Sequence, residues 1–286
     1  MELENYLKEK RAIIDKYLEE KLPSEQENPT LIHRSIRYSV LNGGKRLRPI
    51  LTLMTAELLG RPFQLALPAA AGIELIHCFS LVHDDLPCMD DDDYRRGKLT
   101  NHKVFGEGIA VLTGDALLVM GLDFICQNAR VEGISKESVL QVIGKVLEML
   151  GTREMLGGQS DDINWKFQKQ AENKIVEIYL KKTSALICAS LETGALLSQA
   201  NEKEIKALHA FGKYFGLAFQ ITDDLLDFQQ DKKDDEKPSY PAIFGIEKAK
   251  DEILKYCLQA KDSLGIFGSK AELFSKLVDY VRHRKE

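Results

Sequence analysis

Two clusters of carboxylates dominate the chemistry available to this chain. In Asp84-Asp85-Leu86-Pro87-Cys88-Met89-Asp90-Asp91-Asp92-Asp93, six aspartates fall within ten residues, directly after the apolar run Ala69 to Val82. Like charge at that density, at the end of a buried segment, calls for cations. A solvated acidic loop is the plainer alternative for any one charge run. A second cluster changes the weighing: Asp223-Asp224-Leu225-Leu226-Asp227 lies inside the apolar periodic run Phe211 to Phe228. Its i, i+4 spacing places Asp223 and Asp227 on one helix face, with Gln220 one turn earlier on that face. Aspartate is a mediocre helix former, so three in five residues are a local cost that asks for a function. Carboxylates on helices of a bundle suit a hard divalent ion, Mg²⁺ or Mn²⁺, rather than zinc. An EF-hand is excluded, because a loop starting at Asp90 has Tyr94 at its fifth position and Arg95 where the turn glycine belongs. In a straight helix Asp84 and Asp90 point about 120° apart, so Pro87 is expected to bend the chain if both are to reach one metal.

Cations lie close to the first cluster. Gly43-Gly44-Lys45-Arg46-Leu47-Arg48-Pro49 joins flexible backbone to guanidinium and ammonium groups, a combination that suits a phosphate. A capping or surface role is the alternative, and the G-x-x-x-x-G-K-[ST] of a P-loop is absent. Arg95-Arg96 follows the acidic run, so a diphosphate there would be clamped by metals on one side and arginines on the other. His77 precedes Asp84 by about two turns on one helix face, either as a ligand-binding group or as a satisfied core histidine. Lys182-Thr183 in the run Ile175 to Leu197, and Lys237 in the polar run Gln229 to Pro241, carry little weight separately.

These residues need a scaffold. Apolar positions recur at helical spacing almost everywhere, from Leu3, Tyr6 and Leu7 to Phe211, Phe215 and Phe219, and no segment alternates cleanly like a strand. Breaks are expected at Pro23 to Pro29, at Asn42-Gly43-Gly44 as a C-cap with Arg48-Pro49 beyond, at Gly60-Arg61-Pro62, Pro68, Pro87, Gly106 to Gly108, Gly133 and Gly157-Gly158. With 286 residues, 44% hydrophobic and 29% charged, the chain is globular rather than disordered or fibrous. No repeat, low-complexity tract or long linker divides it, so one all-α domain over 1–286 is the simplest reading. A formal charge of −5 does not suggest a nucleic-acid binder. Five cysteines without a C-x-x-C pair argue against disulfides and structural zinc, and for a reducing cytoplasmic setting. Met1 to Lys10 has no apolar core region, so neither a secretory signal nor a transit peptide is expected and the mature protein should start here. The window Ile109 to Ile125 carries Asp115 and Asp123 and reads as a buried helix too short to cross a membrane.

Taken together, Gly43 to Pro49 (GGKRLRP), Asp84 to Glu107 (DDLPCMDDDDYRRGKLTNHKVFGE), Gly157 to Gln159 (GGQ), Lys182-Thr183, Phe219 to Asp227 (FQITDDLLD) and Lys237 to Pro241 (KPSYP) resemble, in order, the trans-prenyl diphosphate synthases, and most closely the bacterial type of farnesyl diphosphate synthase. The resemblance implies a single orthogonal helix bundle around a central apolar cavity, working as a homodimer. It implies an allylic diphosphate bridged to Mg²⁺, roughly three ions per site with Mn²⁺ able to substitute, by Asp84 and Asp90 on one side and Asp223 on the other. Asp85, Asp224 and Asp227 would support these metal ligands. Arg95, Lys182 and Lys237 would hold the allylic diphosphate, with Thr183 and Gln220 near its reacting carbon. Lys45, Arg48, His77 and Arg96 match the pocket for the diphosphate of isopentenyl diphosphate. Phe228 to Glu236 departs from the family pattern, being short and lacking its Gly- and Thr-containing loop, and Pro238 stands where a hydroxyl residue is common; both bear on Lys237.

The implied chemistry is physically sound, because a diphosphate leaves an allylic carbon only if its growing negative charge is neutralised in place. Isopentenyl diphosphate captures the resulting cation, and the proton then lost goes to the departing diphosphate. In the family a bulky aromatic five residues before the first motif, with two extra residues between its aspartates, accompanies a fifteen-carbon product. Phe79, beside the small Ser80, has that place, although a core aromatic is the plain alternative. A longer product makes a geranylgeranyl diphosphate synthase the alternative reading. A terpene cyclase would share the acidic motifs but needs no second diphosphate site, and a non-catalytic helical subunit would need neither motif intact.

Overall fold

In a computed structural model of the chain, residues 3–165, 174–230 and 239–284 are described. They are helical almost throughout, as the periodicity predicts. The order is α1 (Leu3–Lys21), α2 (Thr30–Leu41), α3 (Leu47–Leu58), α4 (Leu67–Asp84), α5 (Asn101–Phe105), α6 (Glu107–Gln127), α7 (Lys136–Leu150), α8 (Met155–Trp165), α9 (Lys174–Tyr179), α10 (Ala185–Leu197), α11 (Glu202–Gln230), α12 (Tyr240–Phe244), α13 (Ile246–Ser263) and α14 (Glu272–Arg282). The one β ribbon among the described residues pairs β1 (Tyr94–Arg95) with β2 (Lys98–Leu99). Arg96 and Gly97 between them both have positive φ, 54° and 76°, the twist a two-residue hairpin turn requires.

The chain forms two compact units. The first comprises residues 1–57 and 61–143, the second 58–60 and 144–286. Each is built on a helix that is apolar nearly all round and therefore buried. In the first unit this is α4, with Ala69, Ala70, Ala71, Ile73, Leu75 and Ile76 inside. Helix α6 lies against it at very short range, since a Cβ on Gly72 would stand 2.4 Å from the Gly121 carbonyl. In the second unit it is α10, buried from Ala185 to Ala195. There Gly212 and Gly216 let α11 approach α10, and a Cβ on Gly216 would meet Ser184 Oγ at 2.4 Å. Phe211 stacks on Phe215 at 5.3 Å and meets Phe274 edge-on at 5.2 Å to complete that core.

Arg48-Pro49 follows the break after α2 as expected and stands in the first turn of α3, where proline's missing N–H costs nothing. Three expectations are corrected. Gly157-Gly158 does not break the chain but lies inside α8. Helix α6 is not simply buried: Val111, Leu112 and Val119 are 41%, 53% and 67% exposed. Nor is it short, for with the following turn Glu107–Arg130 is long and apolar enough to cross a membrane, as is Phe63–Asp84. The latter is mostly buried within the first unit, where its Glu74 pairs with Arg46 at 2.7 Å. All five cysteines are free, Cys88 and Cys126 at the surface.

Candidate active site

The first acidic motif begins where α4 ends. Pro87 has no N–H to continue the ladder, and the chain doubles back through Met89 N–H to Leu86 O (2.8 Å) and Asp91 N–H to Leu86 O (3.1 Å). Asp90 N–H then donates to the Asp84 carbonyl at 2.9 Å. The expected bend is therefore present, and the backbone itself holds Asp90 beside Asp84. Both side chains are half-buried, whereas Asp85 is 3% exposed. Asp85 accepts Arg95 Nε at 2.6 Å and Nη2 at 2.5 Å, and Arg95 also reaches Asp92 at 3.2 Å. Burial raises the Asp85 pKa while Arg95 opposes the rise, and the same carboxylate pushes the Arg95 pKa up against the effect of burial.

The basic residues of this unit divide into two kinds. Arg46 is buried and spent on structure, binding Glu74 (2.7 Å), Asp15 (2.8 Å) and the Val40 carbonyl (2.6 Å). Lys45 is exposed, and Arg48 Nη1 lies 3.4 Å from His77 Nε2. Arg96 donates to the Gly43 carbonyl and lies over Gly44, where a Cβ would meet its guanidinium carbon at 2.6 Å. Gly44 also has φ of 123°, so only glycine serves there. Arg48 thus comes to His77, whose pKa is held well below its ordinary value by burial and by the charges of Arg48, Arg96, Arg95 and Arg46. With Arg48 donating to Nε2, the proton of this neutral ring is assigned to Nδ1, which is buried with no hydrogen-bond partner. An electropositive cradle with an unused donor is suited to an anion with several oxygens.

The second motif sits within α11, towards its C-terminal end, and groups from other segments arrange it. Asp224 accepts the hydroxyl of Tyr179, the Gln220 amide at 2.9 Å and the Tyr240 N–H at 3.1 Å. Burial raises the Asp224 pKa despite these donors. Burial and Asp224 together drive the Tyr179 phenol upward, so it stays protonated and donates. Gln220 therefore serves Asp224 rather than the Asp223 and Asp227 face. Its Oε1 accepts the Thr183 hydroxyl at 2.6 Å, so Thr183, Gln220 and Asp224 form one chain of hydrogen bonds. Asp227 is exposed, and Asp223 is bound by Arg284 at 2.5 Å.

Lys182 and Thr183 lie in a π-helical turn, Leu180–Ser184, inserted between α9 and α10, and such turns recur at functional sites. Lys182 meets Asp162 at 2.7 Å. Gly158 allows α8 to come this close, since a Cβ there would stand 2.7 Å from the Lys182 nitrogen. Lys237, Pro238 and most of the segment 228–236 lie outside the described residues. On α4, Phe79 is 7% exposed, and Ser80 donates to the His77 carbonyl at 2.9 Å. Sequence reasoning missed Tyr179, Asp162, Arg284 and the structural use of Arg46. Only Asp162 had a signal, its place four residues after Gly158 on the glycine-led helix.

Comparison with known proteins identifies the family. Residues 29–266 match the polyprenyl synthetase family. A dimethylallyltranstransferase from Fischerella ambigua is 40% identical over 98% of this chain and 83% of its own. A geranylgeranyl diphosphate synthase from Cyanophora paradoxa is 38% identical over 98% and 95%. The crystal structure of an FPP/GFPP synthase from Zymomonas mobilis superposes with a TM-score of 0.90 at 33% identity, covering 98% of each chain. The chain belongs to the polyprenyl synthetase family. It is a prenyltransferase of the trans-prenyl diphosphate synthase class.

Proposed function

We propose that this prenyltransferase condenses isopentenyl diphosphate with dimethylallyl and then geranyl diphosphate to give (E,E)-farnesyl diphosphate and diphosphate, the whole chain acting as one catalytic domain. The observation that carries the fifteen-carbon product is Phe79, a buried ring on α4 about 7.5 Å along the helix from Asp84. A close-packed floor at that depth has no room for a further five-carbon unit.

The donor set fits Mg²⁺. Asp84, Asp90 and Asp223 would hold it, with Asp85, Asp224 and Asp227 in support, and all offer oxygen only. Among the described residues no group of three or more acidic, histidine or cysteine side chains stands together as a metal site. Mg²⁺ commonly keeps several waters and takes substrate phosphates. When bound, Mg²⁺ neutralises charge on the leaving diphosphate. Lys45, Arg48, Arg96 and the Nδ1–H of neutral His77 receive the diphosphate of isopentenyl diphosphate. Arg95, Lys182 and Lys237 hold the allylic diphosphate. Asp85 and Asp162 fix the first two of these cations through their ion pairs. No side-chain base is required, since the departing diphosphate accepts the proton.

A homodimer is part of the proposal, supported by the exposed Val111, Leu112 and Val119 of α6. So are a cytoplasmic location and the absence of a membrane span or nucleic-acid partner. Geranylgeranyl diphosphate is the alternative product, favoured by the name of the Cyanophora paradoxa relative. Chromatography of the dephosphorylated products from isopentenyl and geranyl diphosphates decides between them. The wild type should release a fifteen-carbon alcohol and Phe79→Ala alcohols of twenty carbons or more. A twenty-carbon alcohol as the main wild-type product would install the alternative.

A further inference from the structure

A floor limits chain length only if it cannot swing aside, and Phe79 is braced by a neighbour that the motifs do not assign. One turn further along α4, the His83 ring meets Phe79 edge-on with centroids 5.0 Å apart and planes at 74°. His83 is in turn seated on α6. Its Nε2 lies 3.0 Å from the Val111 carbonyl, which only accepts, so Nε2 carries the proton. Asp115 Oδ1 stands 4.0 Å from the same nitrogen. The ring fills the space above Gly114, where a Cβ would lie 2.0 Å from Nε2 and 2.2 Å from Cδ2. Any larger residue at 114 must expel the imidazole.

We propose that His83, seated on Gly114 and tied to Val111, is a positioning residue for product length. It transmits the fixed backbone of α6 to the Phe79 ring, holding the floor closed against the growing chain. The inference rests on Phe79 being that floor, so Phe79→Ala is run beside the new variants and reports on that reading separately.

The experiment measures the ratio of twenty- to fifteen-carbon products, with total turnover and thermal stability recorded for each variant. His83→Ala and Gly114→Ala should each raise the ratio roughly five-fold, the size of effect expected from losing one aromatic edge contact. His83→Phe keeps a ring over Gly114 and should keep the wild-type ratio. A merely structural role for His83 would lower turnover and melting temperature together without moving the ratio. The inference is overturned if folded His83→Ala and Gly114→Ala both return the wild-type ratio while Phe79→Ala lengthens the product. It is also overturned if His83→Phe lengthens the product as much as His83→Ala. An unchanged ratio in Phe79→Ala removes the floor itself and with it this brace.

Discussion

In the first compact unit the aspartates lie where a helix ends, and in the second they lie within a continuous helix of 29 residues, before its end. The difference decides how each set is held. Asp84 and Asp90 are aligned by a backbone hydrogen bond of 2.9 Å across a proline turn, a bond in which neither side chain takes part. Asp223 and Asp227 rise from a continuous helix, and the order around them comes from Tyr179, Gln220 and the Tyr240 N–H converging on Asp224. Yet the two motifs share a division of labour. In each adjacent pair the second aspartate, Asp85 or Asp224, turns inward to protein donors. The first, Asp84 or Asp223, stays half-buried, as does the distal Asp90, while Asp227 is exposed and Asp223 also takes Arg284 at 2.5 Å. Adjacent residues on a helix point about 100° apart, so a doublet supplies one carboxylate to the solvent side and one to the framework.

The largest effect should come from the outward pair. Asp84→Ala and Asp223→Ala are each expected to lower kcat roughly 10²- to 10³-fold, the cost of losing a contact to developing charge, while circular dichroism stays unchanged. Near-normal turnover at saturating Mg²⁺ in either variant would break the equivalence of the two motifs.

The inward pair should separate them by stability. Asp224→Ala strands the Tyr179 hydroxyl and the Gln220 amide, leaving the Tyr240 N–H only its bond to Tyr179 Oη at 3.0 Å, and should cost about 2–3 kcal/mol in denaturant unfolding. Asp85→Ala leaves Arg95 with Asp92 and partial access to water, so about 1 kcal/mol or less is expected. Equal losses would mean that the turn depends on its side chains as much as the helix does.

The cations sharpen the comparison through substrate dependence. Arg48→Ala, in the first unit, should raise the KM for isopentenyl diphosphate about ten-fold, and Lys182→Ala, in the second, should act mainly through the allylic substrate. Steady-state titration of each substrate against each variant checks this, and equal effects on both would erase the division.

The smallest effect is a pH slope belonging to the first unit. Folding holds the His77 pKa below its unfolded value of about 6.5, so as pH falls below that value the unfolded chain takes up a proton that the folded chain refuses. The sign follows: His77 favours folding less as the medium becomes more acidic, by at most about 1.4 kcal/mol per pH unit between 6.5 and the folded pKa. His77→Gln should flatten the urea-midpoint profile between about pH 6.5 and 5. An unaltered slope would remove His77 from the cradle.

Much of this was legible in the chain as written. Helical periodicity, the breaks at Gly43-Gly44 and Pro87, and the acidic doublets are local patterns, and helix geometry acts within a few residues. The sequence also marked GGKRLRP as a site for anions, but not that one of its cations is built into the framework. Lys45, Arg46 and Arg48 are equivalent until Glu74, 28 residues away, claims Arg46. In the same way Asp224 received Tyr179 from 45 residues away and Asp223 received Arg284 from 61. The sequence by itself determined the helices, their punctuation and the places where charge gathers. Only the tertiary structure decided which charged groups are consumed in holding the framework, because an ion pair depends on distances that the chain sets by folding, not by spacing.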